Sequence, residues 1–385
     1  MKQKIVLIGP TYPYRGGNSL FMSYLYVSLK DHFEVTFINY SVLYPSLLFP
    51  GTTQYDKSEE HFEKVPSLRL INSMNPISWY KTAQHINGLN PDLVVFDWWQ
   101  PYFGPCHRGI SMLLKKELKP KILFITENVI SHEARWIDQI LTQIGLKHAA
   151  KFLALSKQVE VQVRPFAGDR RVFRSELPIF GHYSKTENLD TDQVKKDLGF
   201  ETNDTILMFF GYVRKYKGLD ILIDAFAELV PNHPQFKLLI AGEFYDNPQP
   251  YLKQIEQLGI QDKVKVVNQF IPNEQVAQFF TTAEVVVLPY RSATQSGILN
   301  IAYGYDKPVV ITKVGGLHEF VEDGHTGVFV LEAEKSAVAK GILRYFELAK
   351  TIPFGENIRR KTAQNSFGKI VDVFKDILAD VQTSP

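Results

Sequence analysis

Short apolar runs alternate with longer amphipathic stretches along the whole chain. The runs predict strands at 4–9, 34–39, 92–97, 121–126 and 151–155, and again at 205–211, 236–242, 263–267, 284–288 and 307–311. Between two of these runs, residues 219–230 carry apolar side chains at helical spacing, from Leu219 through Phe226 to Val230. Continuous apolar strands that alternate with helices are typical of parallel sheets covered on both faces.

The alternation runs twice, which predicts an α/β protein of two doubly wound, Rossmann-like domains that face each other across a cleft. A chain of 385 residues also exceeds what one hydrophobic core usually supports. We place the first domain at 1–182, a polar linker region at 183–204 and the second domain at 205–354. We predict a last helix over residues 355–385, and whether it packs back on the first domain stays open.

Charge and cysteine content narrow the class of protein. There are 43 basic and 41 acidic residues, so the net charge is +2, and a strongly basic nucleic-acid binder is not the default. The single cysteine, Cys106, excludes a disulfide within the chain and fits a reducing compartment. No apolar run approaches the roughly 18 residues of a membrane span. We therefore expect a cytoplasmic protein, with peripheral contact to the inner membrane left open.

One candidate for such contact is the apolar loop Tyr44–Gly51, which predicts either a buried loop or a surface for a lipid.

The turn after the predicted strand 205–211 is cationic. It leads from Gly211 through Arg214, Lys215 and Lys217 to a predicted helix that begins near Gly218. Free backbone N–H groups and the dipole at a helix N-terminus favour an anion there, and Arg and Lys side chains suit phosphate oxygens. A merely solvated turn is the alternative.

Two further loops have the composition of phosphate-binding turns. Ser292–Gly297 follows the predicted strand 284–288 and precedes a helical run, so its small hydroxyl residues predict an open or simply capped helix N-terminus. Gly16-Gly17 follows the first strand, where the absence of side chains would let a ligand approach the backbone. A G-x-G-x-x-G dinucleotide motif is lacking in this loop.

Taken in this order, the three loops resemble the retaining family 4 (group 1) glycosyltransferases of GT-B fold. The matching segments are Gly16-Gly17, Phe210–Asp220, Ala241–Glu243, Ala283–Tyr290, Thr294–Gly297, Lys307–Ile311 and Val314–Glu319. The match is nearly continuous over 205–330. It is looser in the first domain, which the resemblance implies carries the acceptor site.

The resemblance implies a nucleotide-diphosphate sugar as co-substrate and assigns the residues that would hold it. Lys217, together with Arg214, would stabilise the leaving diphosphate, and Gly16 and Gly17 would face the transferred sugar. Segment 268–272 would lie near the base. The further donor-binding residues that it implies are Gly211, Glu243, Tyr290, Thr294, Gln295, Ser296, Gly297 and Ile298.

Two departures from the family pattern stand in these donor loops. The family usually has an Arg directly after the first Gly, where this chain has Tyr212, so Arg214 is inferred as its substitute. The family helix also commonly carries two glutamates spaced Glu-x(7)-Glu, and neither alignment of this chain supplies one. Gln295 is the candidate replacement for the contact with the sugar.

The first domain supplies the remaining candidates. After the strand at 121–126, Glu127 occupies a position where related proteins often have His, and Asn128 and His132 follow it. We expect Glu127 to contact the sugar or to stabilise developing positive charge. The alternative is that it is a helix N-terminal acid or part of a surface ion pair. His132 either lies near the sugar or has only a structural role. Asp97, Trp98 and Trp99 end another strand and predict acceptor contacts or interdomain packing.

These observations together predict a retaining, hexosyltransferase-like enzyme of polysaccharide or glycoconjugate biosynthesis. It would move a sugar from a UDP- or GDP-linked donor to a glycan or lipid-linked acceptor. No Asp-x-Asp occurs near the loops, and no metal is expected. Two alternatives stay open: a nucleotide-sugar epimerase, and a catalytically degenerate GT-B protein that acts as a binding partner.

Overall fold

A computed structural model describes residues 2–45, 49, 51–58, 65–129, 136–178, 189–364 and 367–383 of the protein. The chain divides into two compact units. The first comprises Met1–Asp56, Glu63–Pro178 and Ser366–Pro385, and the second comprises Lys57–Phe62 and Ile179–Asn365. Within the described residues each unit is built on one parallel sheet flanked by helices, which confirms the predicted pair of doubly wound α/β domains.

The first unit contains seven strands, and the order of its sheet is β3-β2-β1-β4-β5-β6-β7. The strands are β1 Lys4–Ile8, β2 Glu34–Val42, β3 Leu68–Asn72, β4 Leu93–Trp98, β5 Ile122–Thr126, β6 Lys151–Ala154 and β7 Arg171–Arg174. The helices are α1 Gly17–Lys30, α2 Pro76–Leu89, α3 Gly104–Met112, α4 Trp136–Gly145 and α5 Lys157–Ala167. Every residue of β4 and β5 is buried, as central parallel strands require.

The second unit has six strands in the order β10-β9-β8-β11-β12-β13. They are β8 Thr205–Phe210, β9 Phe236–Ala241, β10 Val264–Val267, β11 Ala283–Leu288, β12 Val309–Thr312 and β13 Gly327–Val330. The helices are α6 Thr191–Asp197, α7 Leu219–Leu229, α8 Gln249–Gln257, α9 Asn273–Thr282, α10 Gly297–Gly304, α11 Lys335–Ala349 and α12 Phe354–Gln364. As predicted, α7 buries an apolar face that includes Leu222 and Phe226.

The region where a last helix is predicted, 355–385, contains α12 and α13 Phe367–Thr383. These two helices pack on different partners. The Phe367 ring of α13 lies 5.5 Å from that of Tyr24 on α1, within the first unit. Arg359 of α12 pairs with Asp306 in the second unit, with 3.7 Å between Nε and Oδ2. No helix in the described chain is long and apolar enough to cross a membrane.

Candidate functional site

Two loops of the second unit meet where the strand order reverses, between the carboxyl ends of β8 and β11. Open α/β sheets bind ligands at such switch points. The Arg291 N–H donates to the Tyr216 carbonyl at 2.7 Å, and the Arg291 guanidinium pairs with both carboxylate oxygens of Asp220 at 2.8 and 2.6 Å. Gly218 has φ +68°, and a Cβ there would clash with the Pro289 carbonyl oxygen. The two loops therefore form one closely packed surface.

Lys217 is the cation at the centre of this surface. Its side chain is buried, and its Nζ lies 5.8 Å from the centre of the Tyr290 ring. Burial, and secondly the positive charge of Arg214, lowers the pKa of Lys217 to about 7. No carboxylate within the described residues forms an ion pair with it. A buried ammonium without a counter-ion is costly unless a ligand supplies the negative charge, so this position suits an anion.

Arg214 is held at the same loop by stacking on aromatic rings. Its guanidinium carbon lies 5.0 Å from the centre of the Tyr245 ring, and the ring of Tyr212 lies 4.5 Å from that of Tyr245. The Val213 N–H donates to Glu243, and the Tyr245 N–H donates to Val213, so the two loops run side by side. Tyr212 stands where the family that the donor loops resemble usually has Arg. It is therefore part of the aromatic stack against which Arg214 packs.

The N-terminus of α10 closes the other side of the loop pair. Ser296 caps this helix, and its Oγ accepts a hydrogen bond from the Leu299 N–H at 3.4 Å. The first N–H groups of a helix have no acceptor within the helix, which leaves those of Gly297 and Ile298 for an anion. A Cβ on Gly211 would stand 2.8 Å from Ile298 Cδ1 and 3.4 Å from Lys217 Nζ. The predicted Lys217, Gly211 and α10 positions thus come together.

The end of β9 supports the β8 loop from the opposite side. Gly211 has φ +97° and Gly242 has φ +145°, and a Cβ on Gly242 would clash with the Gly211 carbonyl oxygen. The predicted donor residue Glu243 follows directly and is buried. Its carbonyl accepts from the Val213 N–H at 2.9 Å. Glu243 therefore has a structural contact through its backbone, which does not by itself assign a ligand to its carboxylate.

Gln295 and Thr294 precede the Ser296 cap. Thr294 is buried, and Gln295 is half-buried. The Oε1 of Gln295 is enclosed, and none of the described residues donates a hydrogen bond to it. A buried acceptor without a donor is uncommon in proteins, so this oxygen is a candidate contact for a ligand.

In the first unit, the Gly16-Gly17 loop joins β1 to α1. Gly16 precedes α1 with φ +121°, and Gly17 is its first residue. A Cβ on either glycine would meet no atom of the protein within 4 Å. The buried Asn39 side chain holds the same loop, since its Nδ2 donates to the carbonyls of Thr11 at 3.2 Å and Tyr12 at 3.0 Å. The sequence pattern does not predict this contact, because Asn39 lies within β2 and belongs to no chemical motif.

Asp97 and Glu127 form a carboxyl pair at the ends of the adjacent strands β4 and β5. Both side chains are buried, and the Glu127 N–H donates to the Trp98 carbonyl at 2.9 Å. Burial and then the charge of Glu127 raise the pKa of Asp97 well above its usual value. Burial also raises the pKa of Glu127, and a hydrogen bond with Asp97 opposes that rise. Two ionised carboxylates offer no donor, so the contact becomes a hydrogen bond once Asp97 holds a proton.

This arrangement revises the two alternatives for Glu127. The residue does not form a surface ion pair, because it is 7% exposed and contacts a second carboxyl group.

The two tryptophans at the end of β4 have different surroundings: Trp98 is its last residue, and Trp99 follows it. Trp98 is a core residue with no exposed surface, and its indole N–H donates to the Val129 carbonyl at 3.3 Å. The hypothesis that Trp98 stacks on an acceptor sugar is therefore wrong, because its ring faces are packed inside the first unit. Trp99 is half-buried, and its indole N–H donates to the Tyr44 hydroxyl at 3.2 Å.

The other first-domain candidates are placed less fully. Asn128 is half-buried next to Glu127, while His132 lies outside the described residues. In the apolar loop Tyr44–Gly51, the described Tyr44 packs within the first unit, 5.3 Å from the Phe103 ring. Residues 46–48 and 50 of that loop lie outside the described part of the chain.

The structure adds functional candidates that motif matching misses. Tyr245 stacks on Arg214, and Arg291 joins the loop after β8 to the loop after β11. Neither has a signal in the sequence beyond its position just after a predicted strand. In the described part of the chain, no group of three or more His, Cys, Asp or Glu side chains is placed to hold a metal ion.

Comparison with known protein families gives a match to the second unit. The family model of Glycosyl transferases group 1 matches residues 190–365. The D-inositol 3-phosphate glycosyltransferase of Corynebacterium aurimucosum is 30% identical over 52% of this chain and 58% of its own length. Its counterpart from Segniliparus rotundus is 29% identical over 49% of this chain and 39% of its own. The chain thus spans only about half the length of these relatives.

Other relatives match along nearly the whole chain. An uncharacterized glycosyltransferase of Methanocaldococcus jannaschii is 26% identical over 96% of this chain and 95% of its own. The crystal structure of Anabaena HepE in complex with UDP and glucose superposes with a TM-score of 0.76 at 19% identity, covering 98% of this chain and 100% of HepE. Sucrose-phosphate synthase from Thermosynechococcus elongatus gives 0.75 at 17% identity, over 98% and 100%. At such identities the likeness establishes the GT-B fold.

Proposed function

We propose, from the premise that residues 190–365 form a Glycosyl transferases group 1 domain, that the protein transfers a sugar from a nucleotide-diphosphate donor. One observation carries the proposal: the buried Lys217 has no counter-ion within the described residues and lies beside the N-terminus of α10. A nucleoside diphosphate supplies the missing negative charge. The nucleotide is expected to be UDP or GDP. HepE, which shares the fold, is described in complex with UDP.

The chemistry of the leaving group explains why cations converge at this loop. When the bond from the sugar to the diphosphate breaks, negative charge builds up on the phosphate oxygens. Lys217, Arg214 and the N–H groups of Gly297 and Ile298 would stabilise that charge in the transition state more than in the ground state. These groups supply the charge stabilisation from the protein itself, so we propose a metal-independent transfer.

We further propose that the configuration of the transferred sugar is retained. This follows from the likeness to the retaining group 1 enzymes noted for the donor loops, with attack on the face that the diphosphate leaves. Gly16 and Gly17 would approach the sugar, and the Gln295 Oε1 would accept a hydrogen bond from one of its hydroxyl groups. That acceptor would replace a glutamate contact that the chain lacks.

The carboxyl pair Asp97–Glu127 is the proposed first-unit contribution. A protonated Asp97 donating to Glu127 would keep one negative charge at the end of the sheet, where it can stabilise positive charge on the reacting sugar. The acceptor is proposed to be a hydroxyl of a glycan or of a lipid-linked glycan, in the cytoplasm, within polysaccharide or glycoconjugate biosynthesis.

One further function is favoured by a specific feature. The absence of the two family glutamates at α10 fits a degenerate protein that binds a nucleotide and a partner without turnover. An epimerase of the same architecture would convert the donor without any acceptor.

A single assay separates these functions. The purified protein is incubated with a panel of UDP- and GDP-sugars, with and without glycans from a lysate, and the free nucleotide and the sugar products are measured. A transferase releases the nucleoside diphosphate and labels an acceptor, whereas an epimerase changes the sugar without an acceptor. Binding of a nucleotide with no release from any donor would leave only the degenerate protein.

A further inference from the structure

Helix α4, Trp136–Gly145, exposes its apolar face, whereas a helix of a globular protein usually buries it. Its apolar side chains recur at helical spacing, but they face outward. Trp136 is 75% exposed, Ile137 43%, Ile140 44% and Ile144 37%. The residues that it buries are Thr142 and Gly145. An amphipathic helix normally packs its apolar stripe on the core, so an outward stripe indicates a surface that something else covers.

Packing inside the first unit explains why α4 keeps this orientation. A Cβ on Gly145 would clash with the Trp98 ring and stand 2.8 Å from the Gly104 Cα. The Thr142 hydroxyl donates to the carbonyls of Asp138 at 2.7 Å and Val129 at 3.2 Å. The small inward face therefore fits a tight space in the core. The fold gives no reason for the size and apolar character of the outward face.

A cluster of cations lies just beyond the C-terminal end of α4. Lys147 lies two residues beyond the last residue of the helix, Gly145, and is exposed. Burial and the charges of Arg108, Lys119 and Lys147 lower the pKa of His148 to about 4, which places all three cations around that residue. The acidic residues on the same elements are Asp138 of α4 and Glu117 beside Lys119. The surroundings of the apolar stripe are therefore cationic on balance.

The chemistry of the stripe favours a bilayer over a protein partner. Tryptophan is enriched where a membrane meets water, and amphipathic helices with cations beside an apolar face lie in that interface. A stable protein interface buries roughly 800 Å² on each partner, which four side chains do not reach. We propose that the outward face of α4 docks on an anionic lipid surface, with Trp136, Ile137, Ile140 and Ile144 at the acyl boundary and the Lys147 cluster among the headgroups.

The inference does not rest on the transfer reaction, since binding to a vesicle is measured without a donor or an acceptor.

Vesicle sedimentation with the full-length protein tests the proposal. The vesicles are phosphatidylcholine alone, or an equimolar mixture of phosphatidylcholine and phosphatidylglycerol, at low and high salt. Wild-type protein should bind the anionic vesicles, and the double variant Trp136→Ser/Ile140→Ser should bind roughly tenfold more weakly or not at all. Lys147→Glu should weaken binding to the anionic vesicles and reduce its dependence on salt. The control Val161→Ser/Leu331→Ser removes two exposed apolar side chains outside α4 and should bind like wild type.

Tryptophan fluorescence gives an independent reading of the same event. The chain has four tryptophans, and Trp79, Trp98 and Trp99 are buried or half-buried. A blue shift on adding anionic vesicles that is lost in Trp136→Ser would place this residue in the bilayer interface. Wild-type protein that binds no vesicle, or a double variant that binds as well as wild type, would overturn the proposal. A concentration-dependent dimer that the double variant abolishes would show instead that α4 is a protein interface.

Discussion

The Lys217 ammonium lies 5.8 Å from the centre of the Tyr290 ring, although the two residues follow different strands of the second sheet. The β8 and β11 strands are neighbours at the point where the strand order reverses. This contact brings a cation from one loop and the start of α10 from the other to the same position. The proposed grip on the diphosphate therefore depends on both loops, and a change in either one should alter it.

The lowered pKa of Lys217 predicts that nucleotide binding takes up a proton. Free Lys217 is half protonated near pH 7, and a bound diphosphate favours the charged form and so raises its pKa. Affinity should therefore fall as the pH rises, by about fivefold between pH 7 and pH 8. Titration calorimetry of UDP in buffers with different ionisation enthalpies measures the uptake directly. Lys217→Arg stays charged, so its affinity should show no such slope, and an equal slope in both proteins would assign it to another group.

Tyr245 is predicted to be a positioning residue for Arg214. Tyr245→Ala removes the ring under the guanidinium and should lower kcat/KM for the donor by roughly three- to thirtyfold. Tyr245→Phe keeps the ring and should stay within about twofold of wild type. Steady-state kinetics with a saturating acceptor measures both, and the exposed Tyr80→Ala serves as the matched control. A phenylalanine variant as impaired as the alanine variant would assign the role to the hydroxyl instead.

A substitution at Gly17 tests the proposed contact with the sugar without straining the fold. A Cβ at this position meets no protein atom within 4 Å, and the backbone is helical, so Gly17→Ala should fold with an unchanged Tm. If the donor approaches this glycine, the added methyl group should raise the donor KM by about tenfold or more. Gly88→Ala, equally free of contacts on α2, is the control. Wild-type kinetics in Gly17→Ala would remove Gly17 from the proposed site.

Asp97 is predicted to lower the stability of the protein at high pH. Its folded-state pKa is raised above the usual 3.8, so the folded protein holds a proton that the unfolded chain releases. Stability should therefore fall as the pH rises through this window. Asp97→Asn imitates the protonated form and still donates to Glu127, so its Tm should exceed that of wild type by at least about 2 °C at pH 8 and match it near pH 4. An equal loss of Tm at every pH would show that the substituted amide disrupts the packing.

The sequence predicts the fold and most central strands correctly, but it does not reveal three edge strands. β3, β7 and β13 end their sheets. β7 has an exposed arginine at each end, Arg171 and Arg174, and β3 begins with two exposed residues, Leu68 and Arg69. Such a strand lacks the continuous apolar run that marks β4 or β11. The exact domain boundaries stay a prediction.

The sequence predicts those parts of the candidate site that are formed by local turns. It does not predict the contacts that depend on the order of the strands in the sheet. The turn after β8 and the cap of α10 are visible as short motifs. The pairing of Asp97 with Glu127 is not, because only the sheet order makes β4 and β5 neighbours. The burial of Trp98 is equally hidden, because the predicted strand ends at Asp97, whereas β4 continues to Trp98 and is buried along its whole length.

The grip on the diphosphate is the central claim, and calorimetric titration of nucleoside diphosphates against paired variants tests it most directly. Wild-type protein should bind UDP or GDP clearly more tightly than the matching monophosphate. Lys217→Ala/Arg214→Ala should bind the diphosphate about 10²-fold or more weakly and lose turnover to a similar degree, with an unchanged far-UV spectrum. The exposed Lys350→Ala should behave like wild type. A double variant that still binds the diphosphate as tightly as wild type would contradict the account.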